Sequence, residues 1–186
     1  TNQSAEGMPL FRKVFEVEKK PETAKLYATA LGVYDVSVNG KRVGNHELKP
    51  GWTDYRKEVS FQVFDIAPLL RKGKNEIQVQ LSRGWWAGEI SREVYGAHPQ
   101  LSLWARIEVD GSCVAKTDST WVYSLNGPLI AGDIYDGEIY DARRVPADWK
   151  SAVENKSVQV SLVPFEGPEV RVRDEHLCQK PQSIVI

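Results

Sequence analysis

The residues with the most chemistry in them lie between Gly132 and Arg144, which read GDIYDGEIYDARR. Asp133, Asp136, Glu138 and Asp141 stand among Tyr135 and Tyr140, and Arg143 and Arg144 close the stretch. The stretch turns in the middle at Asp136-Gly137; read as extended chain, it would put Asp136 and Glu138 on one face with Tyr140, and Asp133, Tyr135 and Asp141 on the other. Two such carboxyl groups could act as the acid and base that cleave a glycosidic bond, which requires a separation of about 5 Å for retention and more for inversion. The same oxygens would suit calcium, although their spacing is not that of an EF-hand loop. A third reading is structural. Four neighbouring carboxylates repel unless cations or hydrogen-bond donors meet them, and Arg143, Arg144, Arg83 and Arg92 are candidate partners. Arg83-Gly84-Trp85-Trp86-Ala87-Gly88-Glu89 is the segment best equipped to supply them.

The aromatic residues carry a second kind of chemistry. Trp52, Tyr55, Trp85, Trp86 and Trp104 fall in loops or on polar strand faces, where a ring can stack on the apolar face of a sugar. Neighbouring Asp54, Arg83, Glu89 and Arg143 could then hold its hydroxyls. The packing alternative is that Trp85 and Trp86 cover Trp104 and seal one end of the fold. His46, His98 and His176 have neither a triad spacing nor a nucleophile elbow and read as ordinary loop residues. No glycine-rich phosphate loop leads from a strand into a helix. Cys113 and Cys178 have no metal-ligand spacing, leaving one disulfide or two thiols. With 24 Lys and Arg against 25 Asp and Glu there is no basic field to attract nucleic acid or an anionic membrane. Nor is any apolar run long enough to span a bilayer.

Stepping along the chain shows what must position these groups. Residues 1–8 read as a disordered lead-in. From Leu10 the pattern alternates: Phe11, Phe15 and Val17; Leu26, Ala28 and Ala30; Tyr34, Val36 and Val38 up to the hairpin signal Asn39-Gly40. Val59, Phe61 and Val63 predict the next strand. Asp65 can cap a short helical turn with Pro68 inside it. Ile77, Val79 and Leu81, then Leu101 to Val109, then Val158 to Leu162 continue the alternation, and Asp110-Gly111 makes a further turn. Many short strands with a turn every ten or so residues predict an all-β, antiparallel sandwich over residues 9–163. Residues 164–186 read as a linker and the beginning of a following β-domain, with new strands at Val170–Arg173 and Ser183–Ile186. The apolar end suggests that the polypeptide continues.

Together, LGVYDVSVNGKRVG at 31–44, PGWTDY at 50–55, GWWAG at 84–88 and DIYDGEIYDAR at 133–143 resemble the N-terminal region of bacterial α-L-rhamnosidases of glycoside hydrolase family 78. The resemblance implies a jelly-roll sandwich of the galactose-binding type, placed ahead of further β-domains and a separate (α/α)6 barrel that holds the catalytic carboxylates. The parent would be an enzyme that removes terminal α-L-rhamnose, extracellular or periplasmic. This portion would be non-catalytic, with other domains of its own polypeptide as partners and carbohydrate as a candidate ligand. Trp52, Asp54, Tyr55, Arg83, Trp85, Trp86, Glu89, Asp136, Glu138, Tyr140, Asp141 and Arg143 are then the residues for sugar binding or domain contact. No cofactor is implied except calcium, for which Asp133, Asp136, Glu138 and Asp141 are the candidate ligands. A related calcium-dependent rhamnose-binding sandwich places an Asp-Asn pair ahead of the Asn-Gly strand, where this chain has Leu31-Gly32. A free-standing carbohydrate-binding module and the accessory sandwich of a galactosidase-type enzyme are the alternatives.

Overall fold

The computed structural model describes residues 7–96, 99–155 and 159–167. Two sheets face each other. The first runs β12 (Lys150–Ser151), β9 (Val122–Ser124), β1 (Leu10–Val17), β6 (Gly73–Ser82), β3 (Val33–Val38) and β4 (Lys41–Arg42). The second runs β13 (Ser161–Pro164), β5 (Glu58–Asp65), β2 (Ala24–Leu31), β7 (Ser102–Val109) and β8 (Ser112–Lys116). A separate ribbon pairs β10 (Leu129–Asp133) with β11 (Gly137–Tyr140). Pairing is antiparallel throughout except where β13 lies parallel to β5. No described helix is long and apolar enough to cross a membrane.

The alternation seen in sequence is the alternation of burial. β6 turns Asn75, Ile77, Val79 and Leu81 inward, and β3 turns Tyr34, Val36 and Val38 toward them. From the other sheet come Leu26, Ala28 and Ala30 on β2 and Ala105 and Ile107 on β7, closing one continuous core. Asn39 and Gly40 both have positive φ, 50° and 76°, as the two-residue hairpin turn requires, and Asp110-Gly111 repeats the geometry at 49° and 80°. The Asp65 carboxylate accepts the Ala67 N–H at 3.0 Å and so starts the 3₁₀ turn Ala67–Leu69.

One strand is inverted relative to its sequence pattern. Of Val59, Phe61 and Val63 only Val59 is buried, in a smaller cluster with Leu31 and Tyr55, because Ala28 of β2 lies opposite Gln62, and Leu26 opposite Phe64. It is therefore Ser60, Gln62 and Phe64 that share the core face. Gln62 is fully buried and satisfied: its Oε1 accepts the Tyr34 hydroxyl at 2.6 Å, and its Nε2 donates to the carbonyl of Pro50 at 3.1 Å. The displaced Phe61 joins Tyr27 and Trp104 on the outer face of the sheet, at ring distances of 6.3 and 6.0 Å. A polar side chain can hold a core position when every hydrogen bond it needs is there. The predicted strand near Val160 begins at Ser161, and Val158, Val170–Arg173 and Ser183–Ile186 lie outside the described residues.

A second buried polar group sits at the end of β3. The Lys49 side chain is 1% exposed, and its Nζ lies 3.2 Å from Asp35 Oδ1. Its ammonium also faces the rings of Tyr34 and Phe64, at 5.6 and 5.9 Å. Burial pushes the Lys49 pKa below the ordinary lysine value, and the pull of Asp35 offsets this only in part. A base with a depressed folded pKa binds fewer protons folded than unfolded, so stability rises as pH climbs from that folded pKa to the ordinary lysine value. Lys49→Met would not strand Asp35, which is half exposed and keeps Arg42 at 2.9 Å. The variant should therefore equal or exceed the parent in stability at neutral pH. Its advantage should shrink through the alkaline window, as urea denaturation at the two ends of that window would show.

Candidate functional site

The GWWAG segment leaves β6 by a turn that only glycine suits. Gly84 has φ +52°, and a Cβ there would stand 2.4 Å from Val33 Cγ2. Three short turns follow: α1 (Gly84–Ala87), a 3₁₀ turn (Glu89–Ser91) and α2 (Arg92–Tyr95). The Ser91 hydroxyl donates to the Trp85 carbonyl and holds the first two together. The path brings Trp86 and Tyr95 to 5.1 Å between ring centroids, and sets both edge-on to Tyr55, at 5.8 and 5.6 Å. Leu31, Val59, Trp85 and Val160 complete this second, smaller core.

Tyr55 is 1% exposed and its hydroxyl donates to the Gly51 carbonyl at 2.8 Å. Burial pushes its phenol far above the usual tyrosine range. Its ring therefore has no face to offer a sugar. Trp86 is partly covered by the same cluster, and its indole N–H donates to the Gln100 carbonyl at 3.0 Å. Trp104 sits with Phe61 on the outer face of the five-stranded sheet, so its ring partner is not one of the GWWAG tryptophans. Of the candidate rings, Trp52 is the open one, at 68% exposure. Asp54 is engaged by Arg56 at 3.0 Å and Lys57 at 3.4 Å, which hold its carboxyl below the usual range. Arg83 is half-buried and lines an open groove of about 1520 Å³ that also runs past Leu103, Trp104 and Trp121.

The acidic stretch is a hairpin that turns in its middle, as Asp136-Gly137 led one to expect, so its carboxylates do not follow the alternation of one extended segment. Ile134, Tyr135 and Asp136 form the turn, and Gly137 begins β11 with φ +73°. Asp136 thus leaves the strand and does not share a continuous face with Glu138 and Tyr140. The partners expected from GWWAG do arrive, but as backbone. The Arg83 N–H donates to the Gly132 carbonyl at 3.1 Å, and the Glu89 N–H donates to Asp133 Oδ2 at 3.1 Å. The other oxygen of Asp133 accepts the Tyr135 N–H at 2.9 Å and fixes the turn. Asp141 is clamped by Arg143, with Nε and Nη2 at 2.8 and 2.9 Å, which holds its carboxyl below the usual range. Glu89 pairs with Arg92 at 3.2 Å. Asp136, Glu138 and Tyr140 are exposed.

Among the described residues, no three or more His, Cys, Asp or Glu side chains are grouped to hold a metal ion. Asp133 and Glu138 line a small recess of about 200 Å³ with Asp35, Glu47, Gln80 and Ser82. Cys113 is an exposed free thiol, and Cys178 lies outside the described residues. One residue of this region, Tyr95, and the role of another, Asp133, are not readable as such from the sequence pattern. Tyr95 signals itself only as an aromatic directly before the helix-stopping Gly96, and the cap made by Asp133 could have been sought in an Asp two residues before a turn aromatic.

The described features have clear relatives. A family model described as the α-L-rhamnosidase N-terminal domain matches residues 19–181. An α-L-rhamnosidase of Streptomyces avermitilis is 40% identical over 137 residues, covering 72% of this chain and 13% of that protein. The crystal structure of α-L-rhamnosidase from Aspergillus terreus superposes with TM-score 0.73 at 34% identity, over 92% of this chain and 22% of that one. The Streptomyces avermitilis enzyme crystallised with L-rhamnose gives TM-score 0.71 at 32% identity, over 90% and 17%. This chain therefore spans between about an eighth and a quarter of the lengths of these relatives.

The roles of Trp86 and Trp52 can be separated by substitution. Trp86→Ala empties a wedge between Tyr55 and Tyr95 and should cost about 3 kcal/mol in chemical denaturation, whereas Trp52→Ala should stay within about 0.5 kcal/mol. Gly88 has an ordinary φ of −82°, but a Cβ there would meet the Gly84 carbonyl oxygen at 2.3 Å and Asp133 Oδ2 at 2.9 Å. Gly88→Ala should therefore destabilise by about 1–3 kcal/mol through overpacking, read in the same denaturation series.

Proposed function

The chain belongs to the α-L-rhamnosidase N-terminal domain family, and from that membership we propose that it is a non-catalytic β-sandwich of a larger α-L-rhamnosidase. The reading rests on one observation above others: in the acidic hairpin Asp133 and Asp141 are held in structural hydrogen bonds, and Asp136 and Glu138 stand open to solvent with no burial around them that would desolvate a carboxyl group. A glycosidase needs one carboxylic acid kept protonated, with its pKa raised, to protonate the leaving oxygen. Here Asp141 is lowered by Arg143, and both oxygens of Asp133 accept backbone N–H groups. Hydrolysis of terminal α-L-rhamnose then belongs to a catalytic barrel elsewhere in the polypeptide. The sandwich packs against its neighbouring domains and helps to place the substrate.

The exposed ring of Trp52 favours a second role, as a surface that binds rhamnose or a related sugar. The two are separated by paired measurements. The full-length polypeptide should hydrolyse an aryl α-L-rhamnoside, and residues 1–186 alone should not. Turnover by the 186-residue piece would overturn the non-catalytic reading. Calorimetric titration of the full-length polypeptide and its Trp52→Ala variant with L-rhamnose, in calcium and then in chelator, tests the sugar role. A binding event lost in Trp52→Ala with kcat unchanged would establish it, and identical titrations would remove it.

A further inference from the structure

The tip and outer strand of the β10–β11 ribbon combine features that a solvated surface rarely keeps. Tyr135 is 67% exposed, Tyr140 62% and Ile139 42%, and all four residues of β11 are open to solvent. Neighbours on a strand point to opposite faces, so Ile139 and Tyr140 leave both faces of the ribbon uncovered here. A two-stranded ribbon is marginal by itself, and an exposed apolar edge strand invites pairing with another chain. Other exposed apolar side chains, such as Val14, Val63 and Val94, are scattered over separate elements. Among the described residues this hairpin is one of two places that gather large ones close together, the other being Leu162, Val163 and Phe165 at the β13 edge of the five-stranded sheet, and it holds the more exposed rings.

The ribbon is also held stiffly at its base. Gly132 sits so close to β6 that a Cβ would come within 2.8 Å of Ser82 Cβ, and its carbonyl accepts the Arg83 N–H. Asp133 ties the base to Glu89 and the turn to Tyr135. A backbone fixed in this way needs little further ordering when its aromatic side chains enter an interface, which favours them as anchors. Asp136 and Glu138 flank the rings, and neither takes part in an ion pair among the described residues.

We propose that this ribbon is the seat of another domain of the same polypeptide, which receives Tyr135, Ile139 and Tyr140 in an apolar depression rimmed by Lys or Arg facing Asp136 and Glu138. The occupant follows from length. The matched relatives are about four to eight times longer than the portion this chain spans, so most of such a polypeptide lies outside the sandwich. The surface deepens the proposed function and rests on its multidomain reading. The depression supplies the burial that the hairpin lacks, and the basic rim sets its orientation.

The test uses the full-length polypeptide. Hydroxyl-radical footprinting should modify Tyr135 and Tyr140 several-fold more slowly than their exposure in the isolated sandwich implies, while Trp52 is modified at the rate its openness predicts. Ile139→Ser with Tyr140→Ser should restore fast modification of Tyr135 and speed proteolytic release of the sandwich from the remainder. Tyrosines that react as freely as an unprotected control would overturn the proposal. Protection that disappears on dilution would overturn it too, because the occupant would then be a second copy. Rhamnoside turnover on the same samples keeps the readings apart. An active polypeptide with unprotected tyrosines refutes the docking surface alone, whereas protected tyrosines in an inactive one refute the activity alone.

Discussion

A single carboxylate ties the functional half of this domain together. Asp133 accepts one backbone N–H from the turn of its own hairpin and another from the 3₁₀ turn that follows the paired tryptophans. Ionised carboxylates accepting amide hydrogens are among the stronger hydrogen-bonded arrangements in proteins. Two segments that lie about 45 residues apart in the chain are thereby fixed against each other. The geometry explains why Gly88 must lack a side chain, since a Cβ would compete for the space next to the Asp133 oxygen. It also explains why Trp86 reaches Tyr55: the helical turn that carries it begins where Gly132 receives the Arg83 amide.

How much of this was legible in the sequence depends on which force decided each feature. The sandwich was legible because burial with period two is local, and Ile77, Val79 and Leu81 or Tyr34, Val36 and Val38 announce their faces directly. The hairpin turns were legible because Asn-Gly and Asp-Gly meet a requirement for positive φ. β5 was legible as a strand, but which of its faces meets the core was not, for the opposite reason. Its core face carries Ser60 and Gln62, and Gln62 belongs inside only because Tyr34 and the Pro50 carbonyl, from other parts of the chain, complete its hydrogen bonds. Tertiary partners of that kind leave no periodic trace.

The site was legible as composition and illegible as geometry. Sequence alone gathered Asp133, Asp136, Glu138 and Asp141, but it treated them as equivalent. The fold makes them four different groups: a cap, a turn residue, an exposed strand residue and half of a bidentate ion pair with Arg143. Likewise, the aromatic list mixed one buried tyrosine, one interlocked tryptophan and one open tryptophan. A hydrophobic ring in a loop can face inward as readily as outward, and nothing local to the sequence says which.

That sorting bears on what kind of domain this is. Each carboxyl group whose pKa departs from the ordinary value among the described residues, namely Asp54, Asp110, Asp118 and Asp141, is shifted downward by hydrogen bonds or cations. Acid catalysis calls for the opposite displacement, produced by burial or by a second carboxylate. These carboxylates instead meet loop amides, hydroxyls and neighbouring cations, and the ribbon leaves Tyr135, Ile139 and Tyr140 open to solvent. That arrangement supports the proposed non-catalytic reading, since acid catalysis of glycoside cleavage calls for the reverse: a desolvated carboxyl group inside a cleft.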